Sequence, residues 1–384
     1  MDTLPGGTRL TRLIARDFRN HIDLDLATTR RFVALVGENG AGKTNILEAV
    51  SLFCPGRGLR RADLATMARV DGPGGFAVSA TLETAEAEHR LGSGYEPPGY
   101  DSRGTRVCRI DGAPAPSPVA FSEFLRIVWL TPDFDGLFRG AAGDRRRFLD
   151  RLVLAVDAGH GARVSAMERA LRSRNRLLDE RPDDGRWLDA VEREVAELGV
   201  AVALARRETV ERLDRLIAET RDDAAPFPWA SLRLEGDLDD LVAVWPALEA
   251  EDRFRRALMQ GRHRDRAAGR TLIGPQTTDL VVRHGPKDVP AATASTGEQK
   301  ALLIGLVLAH ARLVRAMSGL TPLILLDEVA AHLDPRRRAG LFDALEALEG
   351  QVWMTGADPA LFAELEGRAD LIGVADGRLV AAGT

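Results

Sequence analysis

The 384 residues predict an α/β fold in which a buried parallel sheet is interrupted by an inserted helical hairpin. Three observations carry that expectation. Gly37-Glu38-Asn39-Gly40-Ala41-Gly42-Lys43-Thr44 lies between a short apolar strand and a helical pattern. A second apolar run, Pro322 to Leu326, is of the kind buried on both faces and ends in two adjacent acids, Asp327 and Glu328. Between them, from about Ala162 to Thr220, the period becomes helical, with Leu188, Val191, Val195, Leu198, Val202, Ala205, Thr209 and Leu216 at spacings of three and four.

In chain order, Leu10 to Leu26 alternates around Arg19-Asn20-His21 and reads as a hairpin, and Arg31 to Val36 as the strand it feeds. Asn45 to Phe53 has helical periodicity. Phe76 to Ile110 is strand-like and broken by Gly92, Gly94, Pro97, Pro98 and Gly99, which predicts a sheet of exposed hairpins. Ile127 to Leu130 is a further strand. An earlier stripe, Val164, Met167, Leu171 and Leu178, is separated from the long one by Arg-Pro-Asp-Asp-Gly, so the two form a hairpin and a compact lobe. After Pro226-Phe227-Pro228 mixed sheet and helix return. The expected division is 1–155 for the first part of the head, 156–225 for the helical insert and 226–384 for the rest of the head.

Cys54 and Cys108 are the only cysteines, too few for a disulfide framework or a four-ligand zinc cluster. No charged and apolar leader opens the chain, and the longest apolar run, Ala301 to Ala309, is short of a bilayer span, so the expected compartment is the cytoplasm. A net charge of −5 argues against nucleic-acid binding by bulk electrostatics and leaves only a local basic patch. Only Lys43, Lys287 and Lys300 are lysines, so isolated arginines carry little weight in this arginine-biased chain.

The segment from Gly37 to Thr44 fits G-x-x-x-x-G-K-[ST] without exception. Glycines let the backbone curl so that successive N–H groups face phosphate oxygens, aided by the positive end of the next helix. Lys43 would neutralise the β- and γ-phosphates of ATP, and Thr44 would coordinate Mg2+. Asp327 would hold the same metal, and Glu328 would orient or deprotonate the attacking water. Ser295-Thr296-Gly297-Glu298-Gln299 departs from the usual ABC signature but keeps its serine, glycine and glutamine ahead of a helix beginning near Glu298. Such a turn makes a second anion site, and Ser295 with Glu298 also fits a capping box. Ala331-His332-Leu333-Asp334 stands where a D-loop would. Thr355 is the nearest candidate for the position where transporters place a histidine, and Trp129 to Asp133 contains no glutamine for a Q-loop. The whole resembles an ABC-type P-loop ATPase head with an inserted helical-hairpin lobe.

Roughly 250 residues separate Lys43 from Ser295, more than a transporter ATPase needs. Asp17-Phe18-Arg19-Asn20-His21, Gly42 to Ala49, Arg145-Arg146-Arg147-Phe148-Leu149-Asp150 and Gly269 to Pro275 are similar to blocks of the RecF family, over nearly the whole chain. Gln276-Thr277-Thr278-Asp279 keeps only the aspartate of that family's basic run. The resemblance implies a weak, DNA-stimulated ATPase of gap repair and replication restart, which closes as a homodimer on duplex and single-strand junctions. It also implies partnership with RecO and RecR and, through them, RecA loading. In each interface the P-loop residues Gly37 to Asn45 would face Ser295, Gly297 and Gln299 of the other protomer, with Lys43, Ser295 and Glu328 serving hydrolysis. The alternative is another SMC-like ABC ATPase acting with a nuclease; the chain ends about thirty residues past Thr355, with no nuclease segment expected. The densest basic run, Arg253 to Arg270 with His263, is the candidate DNA surface, and Arg145 to Arg147 a second one.

Overall fold

The computed structural model describes residues 7–99 and 104–381; residues 100–103, inside the predicted sheet, and the side chain of His332 in the predicted D-loop lie outside them. The chain forms two compact units: residues 1–135, 224–227 and 303–384, and residues 136–223 with 228–302.

In the first unit, β1 (Arg9–Phe18) and β2 (His21–Ala27) form the expected hairpin, turned at Arg19 with φ 55°. After β3 (Phe32–Val36), α1 (Lys43–Ser51) and α2 (Leu64–Met67) come β4 (Phe76–Glu83), β5 (Glu88–Glu96), β6 (Thr105–Ile110) and β7 (Ala113–Ala115). These complete an antiparallel sheet in the order β2-β1-β4-β5-β6-β7. In β4 the residues at Phe76, Val78, Ala80 and Leu82 are buried, the period-two pattern of a sheet with one face on a core. Phe18 packs edge-on against Phe76 at 5.1 Å, and Phe53 against Phe121 at 5.7 Å. β8 (Ile127–Leu130) joins a second sheet.

The second unit contains α3 (Ala142–Val156), α4 (His160–Glu180), α5 (Gly185–Glu219), β9 (Ala230–Glu235), α6 (Asp237–Val244), α7 (Ala247–Gln260), α8 (Arg262–Ala268), β10 (Asp279–His284) and β11 (Val289–Pro290). α4 and α5 are the predicted hairpin, and Asp184 caps α5 by accepting the Trp187 N–H. The unit is larger than the expected insert 156–225, and 228–302, expected in the head, belongs to it. The reason lies in α5. Its predicted stripe marks one edge of a wider buried surface that also holds Ala196, Gly199, Val200, Ala203, Val210, Leu213 and Ile217. A helix buried this widely needs cover on two sides, and α6, α7 and β9 supply the second one. Gly199 permits the closest approach, since a Cβ there would meet Phe254 at 2.8 Å.

α9 (Thr296–Ser318) runs from the second unit's residues into the first unit's, followed by β12 (Leu323–Leu326), α10 (Pro335–Ala347), β13 (Val352–Gly356), β14 (Ala369–Ala375) and β15 (Arg378–Val380). By length and hydropathy α9 could cross a membrane, but 67% of its most apolar window is buried inside the protein, as in a core helix. The second sheet has the order β15-β14-β3-β13-β12-β8, parallel except for β15. All residues of β3, β8, β12 and β13 are buried. Because β13 lies between β3 and β12, the loops after these three strands emerge side by side at the carboxyl edge of the sheet, where open α/β sheets bind ligands.

Candidate nucleotide site

The loop after β3 is shaped by positions that only glycine fills. A Cβ on Gly37 would stand 2.1 Å from the Val374 carbonyl oxygen. Gly42, at φ 113°, N-caps α1, and a Cβ there would stand about 3 Å from the side chains of Asn20 and His21. No acid of α1 itself occupies its first turn. Glu38, Asn39 and Gly40 form an exposed crest, while Ala41, Gly42 and Lys43 are buried. Lys43 Nζ donates to the carbonyls of Gly37 (2.6 Å) and Glu38 (2.9 Å), closing the loop on itself. Burial pushes the Lys43 ammonium below the ordinary lysine value, partly opposed by the charges of Glu328 and Asp327.

The two acids meet the loop from β12. Thr44 Oγ1 lies 2.9 and 3.1 Å from the two oxygens of Asp327. From the end of β13, Thr355 Oγ1 donates to Asp327 Oδ1 at 2.8 Å and accepts the Glu328 N–H at 2.9 Å. Burial raises the Asp327 carboxyl above the ordinary aspartate range, opposed by Thr355 and Thr44 and reinforced by Glu328. Glu328 itself has φ 54°, a left-handed backbone that non-glycine residues seldom adopt. In that conformation its N–H donates to Thr355 Oγ1. Asp334 caps α10 by accepting the Arg337 N–H at 3.0 Å.

Sequence reading flagged Asp17 to His21 without assigning its work, and the structure supplies it. Arg19 makes a bidentate pair with Glu48, fully buried in α1, at 2.8 Å for each bond. Arg60 reaches the same carboxylate at 3.0 Å and Asn45 at 2.8 Å. Asn20 donates to the Ala41 carbonyl and accepts from Asn45. His21, fully buried, places one ring nitrogen 2.7 Å from the Gly377 carbonyl and the other 3.2 Å from that of Gly42. The block is a cradle under the loop from Gly37 to Thr44. Its signal in the sequence was the polar run inside an otherwise alternating hairpin.

Ser295, Gly297 and Gln299 lie in the second unit. Ser295, Thr296 and Gly297 are exposed at the start of α9, and a Cβ on Gly297 would meet nothing within 4 Å. Ser295 N–H donates to Glu298 Oε2 at 3.0 Å, and Glu298 N–H to Ser295 Oγ at 3.4 Å, a reciprocal capping box. Gln299 differs from the expectation of a ligand-facing group. It is buried and donates to the carbonyls of Ala294 (2.7 Å) and Ala292 (3.3 Å), so its side chain braces the turn.

The candidate DNA residues divide. Arg145 pairs with Asp279 through two bonds of 2.7 Å, and Arg146 donates to the Thr278 carbonyl. Asp150 pairs with Arg206, which also binds the Pro275 carbonyl. Two distant sequence blocks are thus joined by hydrogen bonds inside the protein. Arg253, Arg255 and Arg262 have acidic partners in Glu249, Asp252, Asp189 and Glu192. His263, Arg264, Arg266 and Arg270 are exposed around α8.

Residues 9–377 match the RecF/RecN/SMC N terminal domain family. The chain is 53% identical over 374 residues to the DNA replication and repair protein RecF of Mesorhizobium japonicum, covering 97% of this chain and 98% of that one. A solved structure of the recombination mediator protein RecF-ATPrS in the RecFOR pathway superposes with a TM-score of 0.83 at 19% identity, over 97% of this chain and 98% of that one. The Smc head domain of Pyrococcus furiosus, with an extended coiled coil, gives 0.51 at 17% identity, over 97% of this chain and 96% of that one.

Proposed function

This chain belongs to the RecF family, and from that premise we propose that it is an ATP-driven DNA-binding protein of recombinational gap repair and replication restart. The observation that carries the reading is the convergence of Lys43, Thr44, Asp327, Glu328 and Thr355 at the carboxyl edge of one sheet. A hydroxyl and a carboxylate side by side are the hard oxygen donors that suit Mg2+, which commonly takes one or two protein groups and completes its shell with phosphate and water. Thr44 and Asp327 would hold that ion, which supplies neutralisation of phosphate charge.

In the proposed cycle Lys43 exchanges its loop carbonyls for the β- and γ-phosphate oxygens of ATP. The N–H groups of Gly37 to Asn45 enclose the phosphates, and Glu328 orients the attacking water and takes its proton. Ser295 and the backbone at Gly297 cap the γ-phosphate bound by a second protomer, so that ATP closes a homodimer on duplex and single-strand junctions and slow, DNA-stimulated hydrolysis reopens it. Gln299 acts only through the turn it braces. The partners in this reading are DNA, RecR and RecO, with RecA loaded as the consequence, and the setting is the cytoplasm.

The test is sedimentation of the Glu328→Gln protein with ATP, with and without gapped duplex DNA. A stable ATP-dependent dimer that binds the gapped DNA is expected. A monomer with ATP, or DNA affinity indifferent to ATP at several salt concentrations, overturns the reading. Lys43→Met is expected to lose ATP binding and dimerisation together.

A further inference from the structure

We infer that Lys287 is a positioning residue for the nucleotide, neutralising Glu298 so that the turn at Ser295 to Gly297 can receive a γ-phosphate. The inference rests on the dimeric reading above and goes beyond it in assigning a residue outside every recognised motif. Lys287 is one of only three lysines among 52 basic residues.

The start of α9 holds a chemical conflict. Its exposed hydroxyl and backbone N–H groups suit an anion, yet Glu298 puts a carboxylate in the same first turn. That carboxyl is held down to about 2, chiefly by Lys287 and then by the Ser295 N–H and hydroxyl, so it is fully ionised at neutral pH. A γ-phosphate arriving at Ser295 would meet this charge at close range. Lys287 pairs with Glu298 Oε1 and leaves Oε2 to the Ser295 N–H, so the carboxylate is both turned back on the chain and balanced.

The turn that carries Lys287 is closely packed. A Cβ on Gly285 would lie 2.1 Å from the Trp229 ring, and Gly285 N–H donates to the Trp229 carbonyl at 3.0 Å. Asp288, at φ 48°, is bound by Arg283 through its carboxylate (2.8 Å) and its carbonyl (2.6 Å). The neighbouring charges thus satisfy each other, and Lys287 is directed to Glu298. The pair is 54% and 26% exposed, a setting in which an ion pair adds little to folding stability. Its consequence falls instead on any anion that approaches α9.

The test measures ATP-dependent dimerisation by sedimentation in the Glu328→Gln background. Lys287→Ala is expected to need about tenfold more protein to dimerise, the scale of one unbalanced charge near a partly exposed anion. ATP affinity of its monomer should be unchanged. Lys287→Arg should recover most of the loss. Adding Glu298→Gln to Lys287→Ala should restore dimerisation, because removing the carboxylate removes the need for its partner, and the deficit of the single variant should shrink as salt rises. Parental behaviour of Lys287→Ala overturns the inference, as does a double variant as impaired as the single one. A parental protein that remains monomeric with ATP sinks the dimer reading, and this inference with it.

Discussion

Thr355 donates its hydroxyl proton to Asp327 at 2.8 Å while its oxygen accepts the Glu328 N–H at 2.9 Å, so one side chain on β13 fixes both acids that follow β12. A hydroxyl has one proton to give. While it goes to Asp327, Thr355 offers no donor to a phosphate, and its work differs from that of the transporter histidine. Thr355→Val keeps the shape and removes both bonds, leaving the buried Asp327 short of a donor at a cost of about 1–3 kcal/mol. ATP hydrolysis should fall at least about tenfold, with nucleotide affinity little changed and Thr355→Ser close to parental. The pH profile adds a sign. Thr355 lowers a carboxyl that burial raises, so its loss lifts that carboxyl further, and the acid limb of the ATPase profile should move to higher pH.

His21 ties the start of α1 to the β14–β15 turn through the carbonyls of Gly42 and Gly377. His21→Ala leaves a cavity and takes the ring's N–H donor from a buried carbonyl, for which about 2–4 kcal/mol is expected. Denaturant unfolding should register that loss, and calorimetry with ATP should show weaker binding, because the loop is cradled from below. Stability and affinity both at parental levels would contradict the cradle.

Arg174 is fully buried in the second unit and satisfied by Glu192, Asp265, Thr271 and the Leu258 carbonyl. Truncating one member of such a group strands charge in the core, typically at about 3–5 kcal/mol. Arg174→Ala should make the α4–α5 region protease-sensitive at temperatures where the parental chain resists digestion.

Glu298 titrates far below the ordinary glutamate value of 4.5, at about 2. A carboxyl depressed in the folded state stabilises it above the unfolded value near 4.5, and that contribution is lost as pH falls toward 2. Carboxyl NMR should find its midpoint near 2 in the parental protein and closer to 4.5 in Lys287→Ala.

Among the arginines near α8, those with no acidic partner among the described residues should matter most to DNA. Replacing Arg264, Arg266 and Arg270 by Gln should weaken duplex binding across sequences and reduce the salt slope by up to about 3, near 0.9 for each lost phosphate contact. The same change at Arg253, Arg255 and Arg262, paired within the protein, should alter the slope much less.

The glycine-rich loop, the acids after β12 and the helical hairpin were legible because each is a local pattern: glycines where backbone must curl, unbroken apolar runs where a strand is buried on both faces, spacings of three and four where a helix has one covered side. The limits of the second unit were not. α5 is covered on two sides, and its second cover comes from residues 228–302, which no periodicity within α5 announces.

The sequence by itself determined that a glycine-rich loop ending in Lys43 and Thr44, a pair of acids on a buried strand and a serine-glycine turn before a helix exist in one chain. Only the tertiary structure decided what surrounds them: that Thr355 pins both acids, that Asn20 and His21 cradle the loop, that Gln299 braces its turn, and that Arg145 is spent on Asp279. The division is physical. Backbone curvature and strand burial are settled by residues a few positions apart, whereas a buried hydrogen bond requires that donor and acceptor, here up to 356 residues apart, be brought within 3 Å by the packing of elements from two sheets.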